Sequence, residues 1–370
     1  MHFLFKKMFS SSAIVLFSLT AFVLFCNTNA VIKPPGNATI PAFIAFGDSI
    51  MDTGNNYIET IAKCNFPPYG RDFVGGKPTG RWSNGKAPTD LIAEELGIKE
   101  LVPPYLDPNL QLQDLKTGVC FASGGTGYDP LTPILAFFFF FFQKSVISLP
   151  DQLRMFKEYI GKLNATFGAE QTNFILANSL FFLVAGSNDI ANTYYLSPSR
   201  EIMYDISSYT DLMIKFASKF LKELQGLGAR RIGVFSAPPL GCIPSQRTTV
   251  GGLQRNCAEK YNRASLLFNS KLNTTIDSLN KNLPDSRIVY VDVYNPFLDI
   301  IENPQNYGFH VADRGCCGTG DIEVAVLCTS TPTTCVNASD YIFWDSYHPT
   351  EAVYRTLISQ FLPKYINSFF

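Results

Sequence analysis

Five short runs of almost wholly apolar residues are spread along the chain. A strand that is buried on both faces of a parallel sheet carries such a run instead of alternating apolar and polar positions. The runs therefore predict five buried strands, at Ala42–Phe46, Val119–Ala122, Leu180–Ala185, Ile232–Phe235 and Ile288–Val291.

Amphipathic stretches with helical spacing lie between and after these runs. One has Pro88 near its start and Gly97 at its end, as expected of helix boundaries. The stretches are KAPTDLIAEELGI, DISSYTDLMIKFASKFLKELQGLG, AEKYNRASLLFNSKLNTTIDSLNKN and HPTEAVYRTLISQFLPKYI. Strands that alternate with helices predict an α/β fold in which helices cover both faces of a parallel sheet. Because no linker-like segment interrupts this pattern, residues 31–370 are predicted to form a single domain.

The first 30 residues have the features of a secretory signal peptide. Lys6 and Lys7 precede the apolar segment SSAIVLFSLTAFVLF, and small residues ending at Ala30 fit a cleavage site. A retained membrane anchor is the alternative, because the apolar stretch from Met8 to Phe25 is about long enough to span a bilayer. Cleavage near Ala30 is favoured, which predicts a secreted protein with no stable membrane span.

Two further features agree with secretion. Sequons of the type N-x-[ST] occur at Asn37, Asn164, Asn273 and Asn337. Eight of the nine cysteines follow the leader, and an oxidising compartment would pair most of them. A disulfide-tied loop is expected at Cys316, Cys317, Cys328 and Cys335.

Composition narrows the classes of partner and cofactor. The chain has 370 residues, of which 46% are hydrophobic and 16% charged, and its formal net charge is −1. This charge gives no reason to expect nucleic acid as a partner, and the sequence does not indicate an oligomeric state. After the leader the only histidines are His310 and His348, and no C-x₂-C repeat occurs. A metal is therefore not expected, and no other cofactor is indicated.

One segment does not fit the pattern of strands and helices. Phe137–Phe142 is a run of six phenylalanines in a region that otherwise has the character of a loop. It is either a buried strand or an exposed patch that is prone to aggregation. A different hypothesis is that the codons for about Leu135 to Gln143 are the 3′ end of an unspliced intron, because phenylalanine codons contain only pyrimidines. A spliced transcript that lacks these codons would support the intron hypothesis, and a transcript that contains them would rule it out.

Three of the predicted strands run into polar or glycine-rich turns. The first ends in GDS within FGDSIMDTGNNY, the second continues into ASGGTG at residues 122–127, and the third ends in AGSND at 185–189. The carboxyl ends of parallel strands lie along one edge of a sheet, where the ligands of open α/β sheets bind. The three turns are thus predicted to face one crevice, with Ser49 either as a nucleophile or only as a turn residue.

A serine nucleophile needs an imidazole base and a carboxylate that orients the imidazole. The stretch FWDSYHPT supplies both groups, as Asp345 and His348. His310 is the alternative base, with Asp313 as a neighbouring acid, and spacing alone does not exclude this pair. The other motifs, taken together, favour His348.

Four of these motifs occur in the order of the sequence blocks of a known family. FGDSIMDTGNN, ASGGTGYDP, AGSNDI and DSYHP resemble the blocks of the GDSL esterase/lipases, the plant-type branch of the SGNH hydrolase superfamily. The similarity extends from about residue 41 to 367 and includes PPYGRDF, TGRWSNGK and PPLGCIPSQR. The resemblance implies a three-layer α/β/α fold with a flavodoxin-like, five-stranded parallel sheet.

The resemblance also implies an activity and the residues that perform it. Ser49 is implied as the nucleophile, His348 as its base, and Asp345 as the carboxylate that orients the base. These roles describe a secreted serine esterase or lipase that hydrolyses carboxylic esters through an acyl-enzyme on Ser49. The alternative is a catalytically inactive, secreted glycan- or lipid-binding protein on the same scaffold. The natural ester and its acyl chain length are not indicated by the sequence.

An oxyanion hole is implied by the same blocks. Its donors would be the backbone N–H groups of Ser49 and Gly124 and the side-chain amide of Asn188, with Gly125 as the neighbouring alternative to Gly124. Glycine lets the backbone approach a substrate closely, and an amide donates without titrating. Two adjacent acidic residues are interpreted as ordering the turns, namely Asp48 and Asp189.

One cysteine departs from the family pattern. Cys120 stands where the family often has asparagine, and is expected to be a buried free thiol. Cys242 and Cys257 then form a candidate pair, and the four loop cysteines could form two more. Cys64 would be left over, unless the interpretation of Cys120 is wrong.

Overall fold

The structure, a computed structural model, describes residues 32–36, 38–56, 63–139, 146–329 and 333–370. The predicted leader and the sequon at Asn37 lie outside the described residues. The backbone of the first three residues of the phenylalanine run forms the end of the helix Leu131–Phe139. The other three lie outside the described residues.

A parallel sheet of four strands forms the centre of the fold, in the order β1-β2-β3-β4. These strands are Phe43–Gly47 (β1), Leu180–Val184 (β2), Arg231–Phe235 (β3) and Arg287–Val291 (β4). Every residue of β1 and β2 is buried, which explains their continuous apolar sequences. Four of the five predicted strands are confirmed to within one residue at each end.

The fifth predicted strand, Val119–Ala122, is wrong as a regular strand, although the segment lies beside β1. The N–H of Phe121 donates to the carbonyl of Ala45 at 2.7 Å, and Cys120 forms a parallel bridge with Ala45. On the other side, the carbonyls of Cys120 and Ala122 accept hydrogen bonds from the Asn55 amide at 2.9 Å, and one isolated parallel bridge joins Cys120 to Pro104. Counting this irregular edge segment, the sheet has the 2-1-3-4-5 order of flavodoxin-like folds.

Helices pack on both faces of the sheet. The α-helices among the described residues are Pro88–Glu95 (α1), Leu131–Phe139 (α2), Leu149–Asn178 (α3), Pro198–Met203 (α4), Ile206–Gly226 (α5), Pro244–Val250 (α6), Glu259–Asn282 (α7), Tyr294–Glu302 (α8) and Glu351–Tyr365 (α9). Asp189–Leu196 is π-helical, and short 3₁₀ turns span Val74–Gly76, Leu112–Thr117, Leu240–Cys242, Pro304–Tyr307, Ala325–Leu327, Ala338–Asp340 and Ile366–Phe369. The four predicted helices correspond to α1, α5, α7 and α9 and are confirmed. None of the helices in the described ranges is long and apolar enough to cross a membrane.

Two hydrophobic clusters lie on opposite faces of the sheet. Successive residues of β1 alternate between them, with Ile44 and Phe46 in one cluster and Phe43 and Ala45 in the other. The first cluster includes residues of α3, α5 and α7, and the second includes residues of α1 and α9. The predicted arrangement of helices, sheet and helices is therefore confirmed.

A disulfide-tied region lies beyond the main sheet. It contains a two-stranded parallel sheet formed by Val311–Gly315 (β5) and Tyr341–Phe343 (β6). The disulfides are Cys242–Cys257, Cys316–Cys335 and Cys317–Cys328. The predicted pairing is confirmed, as are the buried free thiols, which are those of Cys64 and Cys120.

Candidate active site

The turn after β1 carries Ser49 and is fixed on both sides. Gly47 has a φ of 124°, and a Cβ there would lie 1.9 Å from the carbonyl oxygen of Val184, so only glycine fits. The N–H of Asp48 donates to the same carbonyl at 2.9 Å. The Gln152 amide in α3 pairs with both the N–H and the carbonyl of Gly47, each at 2.9 Å. Ser49 is thereby presented, half-buried, at the carboxyl edge of the sheet.

The structure brings Ser49, His348 and Asp345 together in one hydrogen-bonded series. His348 Nε2 lies 2.8 Å from Ser49 Oγ, and His348 Nδ1 lies 2.8 Å from Asp345 Oδ2 and 3.0 Å from Oδ1. Asp345 Oδ1 also accepts from the backbone N–H groups of Tyr347 and His348, at 2.8 and 2.7 Å. The carboxylate is fully buried, so its orientation is set by these contacts.

The alternative pair, His310 and Asp313, lies elsewhere. His310 is exposed and follows the turn Pro304–Tyr307. The carboxylate of Asp313 pairs with the guanidinium groups of Arg255 and Arg314, at 3.4 and 3.1 Å. These contacts give Asp313 a structural explanation that does not involve a histidine.

Tyr69 makes a further contact to the triad carboxylate. Its hydroxyl donates to Asp345 Oδ2 at 2.7 Å and accepts from the N–H of Ala325 at 2.9 Å. Burial, together with the charge of Asp345, raises the pKa of Tyr69 well above its ordinary value, so the hydroxyl stays protonated and can donate. The segment PPYGRDF is part of the family resemblance, but the sequence alone indicates no role for Tyr69. The contact joins the carboxylate to the loop closed by Cys317–Cys328.

The Tyr69→Phe variant is expected to lower kcat by between about tenfold and a hundredfold, with little change in KM. A hydrogen bond to a charged group contributes about 1.5–3 kcal/mol, and without it Asp345 is held by fewer donors and orients His348 less firmly. Steady-state kinetics on p-nitrophenyl butyrate provide the measurement.

Tyr159→Phe is the matched control. Tyr159 is also buried, and its hydroxyl donates to the Leu115 carbonyl, away from the triad. Both variants lose one buried hydroxyl, so comparable losses of thermal stability are expected. If Tyr69→Phe lowered stability but kept the kcat of the unmodified enzyme, a positioning role for Tyr69 would be ruled out.

The predicted oxyanion donors occupy different environments. Asn188 Nδ2 donates one hydrogen bond to the carbonyl of Thr126 at 2.9 Å, and a side-chain amide nitrogen has two N–H groups. The side chain also borders the space beside Ser49. The N–H of Gly124, by contrast, donates to Asp52 Oδ2 at 3.2 Å and is buried. Gly125 is half-buried and lines a cavity together with Ser49 and Asn188.

Trp82 explains why position 124 is glycine. A Cβ on Gly124 would lie 2.6 to 2.8 Å from the Trp82 ring. The same ring has its centroid 5.2 Å from that of His348, and its Nε1 lies 3.4 Å from Asp52 Oδ2. Burial raises the pKa of Asp52 to about 6, although four donors partly offset this effect. Gly124, Trp82 and Asp52 thus form one wall beside the histidine, which sequence reasoning did not predict.

Asp189 ties two of the strand-end turns together. Its carboxylate accepts from the N–H groups of Tyr128 and Asp129, at 3.0 and 2.7 Å, and from the Thr132 hydroxyl at 2.9 Å. Burial raises its pKa to about 6. Asp48 acts within its own turn, where Oδ1 accepts from the N–H of Ile50 at 3.1 Å. Both contacts agree with the interpretation that these residues order the turns.

Two cavities adjoin the reacting groups. A narrow cavity of about 90 Å³ and a wide one of about 430 Å³ both have Ser49, Asn188 and His348 among their lining residues. Within the described residues, no group of three or more His, Cys, Asp or Glu side chains could hold a metal ion.

A parallel α/β sheet that presents serine, histidine and aspartate in this series at its carboxyl edge is an arrangement typical of serine hydrolases. The chain belongs to the GDSL-like lipase/acylhydrolase family, whose sequence profile matches residues 43–361. Membership of this family places the chain among the carboxylic ester hydrolases.

Relatives at high identity agree with this assignment. The chain is 54% identical to the GDSL esterase/lipase EXL3 of Arabidopsis thaliana over 353 residues, which cover 95% of this chain and 94% of the relative. It is also 54% identical to the Arabidopsis thaliana GDSL esterase/lipase At3g14820, over 88% of this chain and 90% of the relative.

Among solved structures, phospholipase A1 from Streptomyces albidoflavus NA297 is 14% identical to the chain, with a TM-score of 0.40, and the match covers 90% of this chain and 100% of that one. A catalytic mutant of Axe2, an acetylxylan esterase from Geobacillus stearothermophilus, is 12% identical, with a TM-score of 0.38, over 89% of this chain and 95% of that one.

Proposed function

We propose that the chain hydrolyses carboxylic esters through an acyl-enzyme on Ser49. The observation that carries the proposal is the 2.8 Å contact between His348 Nε2 and Ser49 Oγ. The serine oxygen attacks the ester carbonyl carbon while Nε2 takes its proton, and the imidazolium then protonates the departing alcohol. A water molecule next gives a proton to Nε2 and attacks the acyl carbon, and the carboxylic acid leaves as Ser49 regains its proton.

Asp345 supports both half-reactions. Its oxygens hold the Nδ1–H of His348, which keeps Nε2 free to accept the serine proton. When the imidazolium forms, the buried carboxylate stabilises its charge. The bonds from backbone N–H groups and Tyr69 keep the carboxylate in place without consuming Nδ1.

The oxyanion would be stabilised by three donors. They are the backbone N–H of Ser49, the side-chain amide of Asn188, and the backbone N–H of Gly125. Gly125 is preferred to Gly124 in this proposal, because the Gly124 N–H is directed to Asp52 while Gly125 borders the cavity beside the serine. Donors of this kind stabilise the charge that develops in the transition state.

Secretion is part of the same proposal. Residues 1–30 would be removed as a leader, and residues 31–370 would form a single hydrolase domain. The described sequon residues, Asn164, Asn273 and Asn337, are exposed, and three disulfides are formed. Both features suit an oxidising, extracellular compartment.

Reaction with diethyl p-nitrophenyl phosphate tests the covalent step. The reagent should transfer one diethylphosphoryl group to Ser49 Oγ and release one p-nitrophenolate per active site. Intact-mass measurement should show a single adduct, and peptide mapping should place it on Ser49. Hydrolysis of p-nitrophenyl butyrate should disappear in proportion to labelling.

Two variants control this experiment. Ser49→Ala should take no label, whereas Ser179→Ala should be labelled like the unmodified chain. Ser179 is buried directly before β2, at the amino ends of the strands and therefore away from Ser49. Its hydroxyl donates to the Ile175 carbonyl. An inactive binding protein, the alternative, would show neither adduct nor hydrolysis while remaining folded, and that result would overturn the proposal.

A further inference from the structure

The narrow cavity lies between the carboxyl ends of the strands and helix α9. Its volume is about 90 Å³, and Ser49, Asn188 and His348 belong to its lining. Most of the remaining wall is apolar, and it includes Val184, Phe235, Val293, Leu357, Ile358 and Phe361. The reacting groups therefore open directly onto a space that is surrounded by hydrocarbon.

The polar groups of this wall offer little to a polar ligand. The Ser236 hydroxyl already accepts from the N–H groups of Val293 and Tyr294, at 3.0 and 3.2 Å. Burial raises the pKa of Asp48 to about 7, which favours the neutral carboxyl more than in water. No Lys, Arg or Glu occurs among the described residues that line the cavity. A hydrocarbon that entered would gain by leaving water, because most of the wall is apolar.

The wide cavity on the other side of the serine is of a different kind. Its volume is about 430 Å³, and Thr132, Asn192 and the Trp82 ring contribute to its lining. At its rim, Val326 and Leu327 of the disulfide-tied region are 51% and 54% exposed. This cavity is larger, a greater share of its lining side chains is polar, and exposed residues lie at its rim.

We propose that the narrow cavity is the acyl-chain pocket of the enzyme, with room for a short acyl group of about four carbons. This inference rests on the proposed ester hydrolysis. The pocket's volume of about 90 Å³ is about a fifth of the 430 Å³ of the wide cavity, so a short acyl chain fits it better than a long one. The alcohol portion of the ester then lies in the wide cavity, which leaves its oxygen close to His348.

A series of p-nitrophenyl esters tests the size of the pocket, because only the acyl chain changes. Each methylene that is buried should raise kcat/KM about fourfold. Butyrate should therefore exceed acetate by about fifteenfold, and the gain should end at about butyrate, with no further rise to hexanoate or decanoate. A kcat/KM that did not depend on chain length from acetate to hexanoate would overturn the inference.

Three variants test the location of the pocket. Val293→Phe adds a ring to the narrow cavity and should reduce the butyrate-to-acetate ratio from about fifteen to near one. Leu357→Ala enlarges the same cavity and should move the preferred chain length upward. Val326→Phe is the matched control, because it adds the same ring to the wide cavity, and it should keep the butyrate-to-acetate ratio. Thermal unfolding of each variant checks that it is folded.

The outcomes separate this inference from the proposed function. If the unmodified chain hydrolysed none of the esters, the proposed function itself would fail. If it hydrolysed them and the ratio changed in Val326→Phe but in neither Val293→Phe nor Leu357→Ala, the acyl chain would lie in the wide cavity. Ester hydrolysis would then stand, and the assignment of the acyl pocket would be wrong. Val293→Phe and Leu357→Ala each change the narrow cavity, and each has its own expected shift in the preferred chain length. The test is therefore complete even if only one of the two variants folds.

Discussion

Replacing Ser49 with alanine is expected to lower kcat for p-nitrophenyl butyrate by about 10⁶-fold. The change removes the oxygen that forms the acyl-enzyme, and His348 alone cannot replace it. Because Ser49 is half-buried and its described side-chain bond is to His348, the fold should be unaffected. The measurement is kcat from initial rates, with thermal unfolding to compare the two proteins.

The Ser179→Ala variant again provides the control for this measurement. It removes a buried hydroxyl of the same chemistry at the far edge of the sheet, so its kcat should stay within about threefold of the unmodified chain. A Ser49→Ala protein that retained a tenth of the activity would show that another group is the nucleophile.

The Asp345→Asn variant is expected to lower kcat by about 10⁴-fold without unfolding the protein. The backbone N–H groups of Tyr347 and His348 donate to Oδ1 and will hold the asparagine oxygen at that position. The amide NH₂ must then face His348 Nδ1, which makes Nδ1 an acceptor and puts the proton on Nε2. An Nε2–H directed at Ser49 cannot take the serine proton.

Asp313→Asn is the matched control for this variant. Asp313 neighbours the other histidine of the described residues, His310, and its side chain is 43% exposed in pairs with Arg255 and Arg314. The kcat of this variant should remain unchanged. A large loss in Asp313→Asn together with a small loss in Asp345→Asn would reverse the assignment of the catalytic carboxylate.

The sequence was sufficient for the features that local chemistry determines. Strand β1 is buried on both faces, so every residue had to be apolar, and its position could be read directly. Gly47 is required by its backbone angle and by its contact with Val184, which produces a recognisable turn before Ser49. His348 was found because few histidines follow the leader and one has an acid three residues before it.

Features that depend on distant contacts or on the direction of a bond were not predictable. Tyr69 meets Asp345 across 276 positions, and a tyrosine in a loop gives no signal of that contact. Gly124 and Gly125 are the same residue type, and they differ only in the structure, where the Gly124 N–H donates to Asp52 and Gly125 lines the cavity. Helix α3 was missed because Gly168, with a φ of 81°, breaks it into two segments that do not share one continuous helical pattern.

The contact between Ser49 and His348 joins residues that are 299 positions apart. During synthesis the nucleophile is therefore complete long before its base exists. Until that moment the serine has an ordinary, unreactive hydroxyl. A nascent chain that has not reached His348 therefore lacks the base that the proposed mechanism requires.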